Sequence, residues 1–285
     1  MITGLDHVVV AVPDLAEATA SYAAFLGRAP AWLAAASGGG AEIAVFRLDN
    51  VAVELMAPAG GGEGGDRLRA ALAADGPGLA SLAFAVDDVE RAARRLARVG
   101  LDPEPVADGE SVDRESGRRR AWRRTRASSA ATHGVRIFLL EPAPLAPSPL
   151  RAPAESAMTG LDHVVIRTPD PDRAAALYGA RLGLDLRFDR SSAEWGARLL
   201  FFRCGDLVVE IAHDLKAGVS DAKDRLWGLS WRVPDAAAAR GRLHAAGFDV
   251  SELRPGRRPG TRVFTVRDRT CGVPTLVLEP PAPRA

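Results

Sequence analysis

Cysteine, tyrosine, methionine and histidine are scarce in this chain of 285 residues, with two, two, three and five copies. Two cysteines exclude a disulfide framework and a cysteine-built zinc site, so Cys204 and Cys271 are read as free thiols. No apolar run approaches the roughly 20 residues that a membrane helix needs, so no membrane partner is expected. A formal net charge of +1 gives no general attraction to nucleic acid or to anionic lipid. Asp6 and His7 stand where a secretory signal carries basic residues, so a cytoplasmic location is expected. A Gly-x-Ser-x-Gly elbow is missing too, which removes the commonest serine-nucleophile signature. With so few histidines, each one has to be accounted for.

What is present is repetition. "TGLDHVV" occurs at Thr3–Val9 and again at Thr159–Val165. Each copy opens an apolar, alternating run that reads as a strand. Behind the first come "PDLAEATASYAAFLG", where Asp14 can cap a helix that stops at Gly27, and then three strand-like runs ending in "VAVELMA". The same order returns from "ASLAFAV", from "LDHVVIRT" and from "WGLSWRV". Four βαβββ units are the simplest account, and they give an α+β class with two tandem paired-unit domains. The expected boundaries are 1–142 (units 1–57 and 78–142), a proline-rich linker 143–158, and 159–285 (units 159–213 and 226–281). The linker carries Pro144, Pro147, Pro149 and Pro153, which suit neither helix nor central strand.

Alternation assigns faces. Val8, Val10 and Val12 share one face of the first strand, which leaves His7, Val9 and Ala11 on the other. Glu54 lies opposite Val53 and Leu55 in the fourth strand, and His163 and Glu210 repeat the arrangement at the same spacing. Glu141 in "FLLEP" and Glu279 in "LVLEP" close the last strand of each half. A carboxylate is rarely buried without a partner. One imidazole with two carboxylates per half suits a divalent transition metal, Zn, Mn, Fe, Co or Ni. The plainer alternative is a His–Glu hydrogen bond that satisfies itself in a half-polar cavity.

The units, the "LDHVVxxxPD" opening and the strand-end glutamates resemble the vicinal oxygen chelate superfamily. That group includes glyoxalase I, bleomycin- and fosfomycin-resistance proteins, methylmalonyl-CoA epimerase and extradiol dioxygenases. The resemblance implies paired units closing around a cup whose floor holds a metal with open positions for a chelating substrate. Carried over by position, the metal ligands are His7, Glu54 and Glu141 in one half and His163, Glu210 and Glu279 in the other. Glu54 or Glu210 would also serve as the catalytic base of a lyase, isomerase or epimerase acting on a small oxygenated metabolite. A second histidine, usual in the partner unit, is replaced by Ser81 and Gly228. That speaks against a ring-cleaving dioxygenase, which needs two histidines and a carboxylate, unless His133 or His213 stands in. His244 reads as a helix-surface residue. The alternative function is a non-catalytic binder, of the antibiotic-sequestering kind, in which the metal is dispensable.

Further cup residues follow from the same alternation. Arg167 shares a face with His163, and Ser230 and Arg232 share one with Gly228, so these three are the candidate substrate contacts. The two arginines suit a carboxylate or phosphate, or else they neutralise Glu210 and Glu279. "GGGEGG" at Gly60–Gly65 meets a dinucleotide pattern only because it is a glycine run, and it reads as a connector. "RESGRRRAWRRTR" (Arg114–Arg126) puts Arg118, Arg120, Trp122 and Arg124 on one face, read as a solvated or partner-facing sheet edge and not a nucleic-acid site. A small molecule is the expected partner, and monomer and homodimer are both allowed.

Overall fold

The computed structural model describes residues 1–142 and 153–281. Most of the expected linker, residues 143–152, lies outside them. The first half contains β1 (Ile2–Ala11), α1 (Leu15–Leu26), β2 (Trp32–Ala35), β3 (Ala41–Arg47) and β4 (Ala52–Pro58). It continues with α2 (Glu63–Asp75), β5 (Gly78–Val86), α3 (Val89–Arg98), β6 (Ala107–Val112), β7 (Arg119–Arg126) and β8 (Ile137–Pro142). The second half has β9 (Gly160–Arg167) and α4 (Pro171–Ala175), which runs on into a π-helical segment, Ala176–Arg181. β10 (Asp185–Ser192), β11 (Ala197–Cys204), β12 (Leu207–Asp214) and β13 (Arg225–Arg232) follow. α5 (Ala236–Ala245), β14 (Arg254–Pro255), β15 (Arg262–Val266) and β16 (Thr275–Glu279) complete it.

Each half is one eight-stranded sheet, ordered β2-β3-β4-β1-β5-β8-β7-β6 and β10-β11-β12-β9-β13-β16-β15-β14. The α+β class and the tandem paired units are as the sequence implies. Within a unit the first strand runs parallel to the last, and the two units meet through an antiparallel seam, β1 with β5 and β9 with β13. The seam relates the units by a pseudo-twofold axis, so every position has a counterpart in the neighbouring unit.

Local chemistry explains the repeated aspartates. Asp14, Asp88, Asp170 and Asp235 each cap a helix, accepting from backbone N–H groups two or three residues on. Gly27 ends α1 with φ +71°, and a Cβ there would also stand 3.0 Å from the Cβ of Ala157. The chain that returns from the linker therefore packs on this helix end, with Ala154 and Met158 donating to the carbonyls of Gly27 and Leu26. The Gly60–Gly65 run acts through close approach. A Cβ on Gly65 would fall 2.3 Å from the Gly40 carbonyl, so only glycine lets the start of α2 lie on the β2–β3 turn.

The helix-covered faces of both sheets share one continuous core that includes Val8, Val10, Phe25, Val164, Ile166 and Trp231. Phe25 meets Trp231 edge to face at 5.3 Å. Arg242 donates to the carbonyls of Ala24 and Phe25 at the end of α1, and Arg181 to those of Val99 and Gly100 beyond α3. Helix carbonyls otherwise left without partners are thus satisfied from the opposite half. The concave faces look away from this core.

Candidate functional site

His7 and His163 each sit at a β-bulge. Along the seam Leu5 pairs with Phe84 and His7 with Ala83, so Asp6 is an extra residue; Leu161 and His163 pair with Trp231 and Ser230, which leaves Asp162 extra. A bulge turns consecutive side chains toward the same face. Asp6 Oδ1 lies 2.7 Å from His7 Nδ1, and Asp162 Oδ2 lies 2.9 Å from His163 Nδ1. A carboxylate only accepts, so Nδ1 carries the proton and Nε2 is the nitrogen left for the cup. Burial would raise the carboxyl pKa of Asp6 and of Asp162, but the adjacent imidazole together with nearby arginines, Arg47 and Arg120 for Asp6 and Arg232 for Asp162, more than offsets it and both are lowered. Burial disfavours the His7 imidazolium, yet Asp6 and Glu54 outweigh it and the His7 pKa is raised.

In the second half the cluster is compact. His163 Nε2 lies 2.7 Å from Ser230 Oγ and 3.4 Å from Glu210 Oε2. Burial raises the pKa of Glu210, against the opposing charges of His163 and Arg257. Behind the ring, Arg232 Nε reaches Asp162 at 3.2 Å while its Nη1 pairs with Asp206 at 2.7 Å. Arg232 therefore supports the Asp162–His163 pair and is not a free cup-lining cation, because Asp162 and Asp206 occupy its donors. Arg167 lies 4.2 Å from the centroid of the Trp227 ring, at an exposed end of the cup, and does not neutralise Glu210.

The first half is filled by its own side chains. Arg120 donates to Ser111 Oγ at 2.8 Å and to Glu54 at 3.4 Å, with Trp32 and Trp122 against its guanidinium at 5.3 and 5.1 Å. Gly109 makes room for Trp122, whose Nε1 would lie 2.3 Å from a Cβ. The sheet edges are tied together by Leu33 N–H on Asp113 (2.8 Å), Arg114 N–H on the Leu33 carbonyl (2.7 Å) and Trp32 on Ser111 (3.0 Å). α2 lays Leu68 and Leu72 against Ala11, Ala41, Met56 and Ala80, closing one end. In the basic run, Arg120 and Arg124 face the cup, the latter over Phe138, while Arg114, Arg123 and Arg126 pair with Glu42, Glu90 and Glu104. That strand is internal to the sheet and not the edge the sequence suggested.

Glu141 and Glu279 do not join the histidines. Glu141 Oε2 accepts from Val89 N–H at the start of α3, and Glu279 Oε2 from Ala236 N–H at the start of α5, both at 2.8 Å. Arg262 pairs with Glu279. Both carboxylates stand on the core side, in phase with buried Leu139 and Val277, where they cap helices. The pseudo-twofold axis also defines what the second units place opposite each His/Glu pair. Val9 faces Ser81, Ala83 faces Phe138, Val165 faces Gly228 and Ser230 faces Leu276. The counterparts are thus Ser81 with Phe138 and Gly228 with Leu276. A Cβ on Gly228 would lie 2.8 Å from the Pro274 carbonyl, which leaves no room for a ligating side chain.

The metal that the resemblance implies is therefore met by one imidazole and one carboxylate per cup, and in the first half that carboxylate already holds a guanidinium. Among the described residues no group of three or more His, Cys, Asp or Glu side chains is arranged to hold a metal ion. The three-donor sets expected from the sequence are not assembled, so the residues present do not fit a resident metal of that kind. The other histidines do not substitute. His213 is buried with its Nδ1 on the Thr168 carbonyl, His133 sits beside Arg173 and Asp224, and His244 is exposed on α5. Sequence reasoning missed Asp6, Asp162, Trp32, Arg120, Trp195 and Arg257; the only available signal was the acidic residue beside each histidine.

Comparison with known proteins agrees with this architecture. A family model described as "Glyoxalase-like domain" matches residues 5–183, and one described as "Glyoxalase/Bleomycin resistance protein/Dioxygenase superfamily" matches residues 162–265. An ethylmalonyl-CoA/methylmalonyl-CoA epimerase of Cereibacter sphaeroides is 32% identical over 97 residues, 32% of this chain and 72% of that protein. A mutant 4-hydroxymandelate synthase from Streptomyces coelicolor superposes with a TM-score of 0.71 at 16% identity, covering 100% of this chain and 94% of the other. The catechol dioxygenase BphC, described as halotolerant, gives 0.62 at 14% identity, covering 98% and 87%. At such identities the two structures speak for the fold alone. By its family-model matches and its tandem paired sheets, the chain belongs to the glyoxalase-like family of the vicinal oxygen chelate superfamily.

Proposed function

We propose that the second-half cup is a proton-transfer centre of an isomerase or lyase acting on a small oxygenated molecule, and that the first half is its structural partner. The observation behind this reading is the Asp162–His163–Glu210 line, with His163 Nε2 3.4 Å from Glu210 Oε2. Asp162 fixes the tautomer, so Nε2 can take a proton from a carbon beside a carbonyl. Glu210, whose pKa is raised by burial, is suited to hand a proton back at a neighbouring atom. Ser230 occupies Nε2 at 2.7 Å until a substrate displaces its hydroxyl.

Two groups 3.4 Å apart serve one face of a planar intermediate. Epimerisation, the activity in the name of the Cereibacter relative, needs a donor on the opposite face as well. The geometry therefore favours isomerisation or elimination. Arg167 at the open end is a candidate contact for the substrate. The binding-protein reading has its support in the first half, where Arg120 occupies the cup.

In heavy water, the chain should move deuterium into the carbon next to the carbonyl of pyruvate or 2-oxobutyrate, used as probes. His163→Gln should slow this by about 10²–10⁴-fold, and His7→Gln by less than about two-fold, read by proton NMR. Exchange by the natural chain no faster than by His163→Gln overturns the proposal. One equivalent of transition metal per chain, lost in His163→Ala, would replace it with the metal-assisted form.

A further inference from the structure

Arg120 and Arg257 hold corresponding stations in the two halves. Each comes from the second unit of its half and lies 5.3 Å from a tryptophan ring of the first unit, and its charge acts on that unit's glutamate, by a direct hydrogen bond in the case of Arg120. The tryptophans are Trp32 and Trp195, and the glutamates are Glu54 and Glu210. The difference lies in how the guanidinium is used. Arg120 spends donors on Ser111 and Glu54. Arg257, in the turn between β14 and β15, has no hydrogen bond or ion pair among the described residues, and its guanidinium lies over the Trp195 ring. Arg190 lies 5.2 Å from the same ring.

A cation–π contact holds a guanidinium in place without using its N–H groups. Arg257 is thereby held at an exposed position with its planar fork of donors free, while its charge acts on Glu210. Such a fork matches a carboxylate through two parallel hydrogen bonds. We infer that Arg257 anchors the carboxylate of a small acid above His163 and Glu210, and so makes the substrate of this cup an anionic one. The inference rests on the reading of this cup as the reaction site, yet binding can be measured without turnover. Arg232 cannot serve in this way, because Asp162 and Asp206 occupy it.

The test uses malonate as the anion and malonamide as its neutral counterpart, titrated into the full chain by calorimetry and followed by the ring proton signals of His163. Malonate should bind and shift those signals, and malonamide should not. Arg257→Met should weaken malonate at least about ten-fold, and Arg257→Lys less, since a point charge survives without the fork. Arg267→Met, which removes a surface arginine paired with Asp249, should leave the affinity unchanged. Absence of malonate binding, equal binding of malonamide, or an Arg257→Met affinity within about two-fold of the natural chain would each overturn the inference. Arg257-dependent malonate binding in a chain without deuterium exchange would keep the anchor and remove the reaction. Exchange without Arg257-dependent binding would do the reverse.

Discussion

The two halves share one fold and differ in what fills the cup. In the first, hydrogen bonds from Trp32, Leu33 and Arg114 join the sheet edges, α2 closes an end, and Arg120 neutralises Glu54 from within. In the second, no hydrogen bond joins β10 to β14 among the described residues, and the edges approach through Arg257 on Trp195. The place of α2 is taken by a connection without a helix that leaves Leu215 and Val219 exposed, and Trp227 at the start of the following strand is exposed too. A duplicated cup with a buried carboxylate needs a positive partner for it. One half pairs its carboxylate directly with an arginine; the other leaves its arginine exposed and without an ion pair among the described residues, where a ligand can reach it.

Removing each arginine gives the largest contrast in stability. Arg120→Met strips Glu54 and Ser111 of a half-buried partner and should cost about 2–3 kcal/mol, somewhat less than a fully buried pair. Arg257→Met should change stability by less than about 0.5 kcal/mol, as surface substitutions do. Urea unfolding of the two variants measures both. Equal losses would mean that Arg257 is as structural as Arg120, and the contrast between the cups would fail.

A smaller effect, equal in both halves, is expected at the strand-end glutamates. Glu141→Ala and Glu279→Ala each remove an acceptor from the first turn of a helix and should cost about 1 kcal/mol. Malonate affinity should be unaffected by either. A loss of malonate binding in Glu279→Ala alone would return that carboxylate to the cup.

These glutamates also show where the sequence stops being readable. The repeated "TGLDHVV", the capping aspartates and Gly27 state the unit order, because they depend on local backbone chemistry that the residues themselves express. His7, Glu54, His163 and Glu210 were placed correctly by alternation, since their strands are flanked by unbroken apolar positions. Glu141 and Glu279 were not. Two adjacent leucines, or a leucine beside a valine, leave the phase of a short last strand undefined, and only the helix N-terminus nearby decides it. Asp6 and Asp162 were hidden for the opposite reason. Strict alternation turns them from the cup, and a bulge, which depends on pairing with a distant strand, brings them back. Arg120 and Arg257 come from elements remote in sequence from the glutamates they face, so no local pattern announces them.

The smallest expected effect concerns the carboxylate left without a direct cationic partner. Glu210 has its pKa raised by burial above the usual 4.5, with His163 and Arg257 opposing but not cancelling the shift. The folded chain then binds the proton more tightly than the unfolded chain does. Its contribution to stability is greatest below pH 4.5 and declines as pH rises through the folded pKa. Above that point the ionised group is held at a cost that glutamine would not carry. Glu210→Gln should therefore melt about 1–2 °C higher than the natural chain at pH 7, with the two curves converging toward pH 4. Glu54→Gln should show the opposite sign at pH 7, because it removes the partner of Arg120. Thermal melts of both variants between pH 4 and 8 decide the matter: a Glu210→Gln chain that melts lower at pH 7 would mean that the second cup, like the first, is already balanced in charge before any ligand arrives.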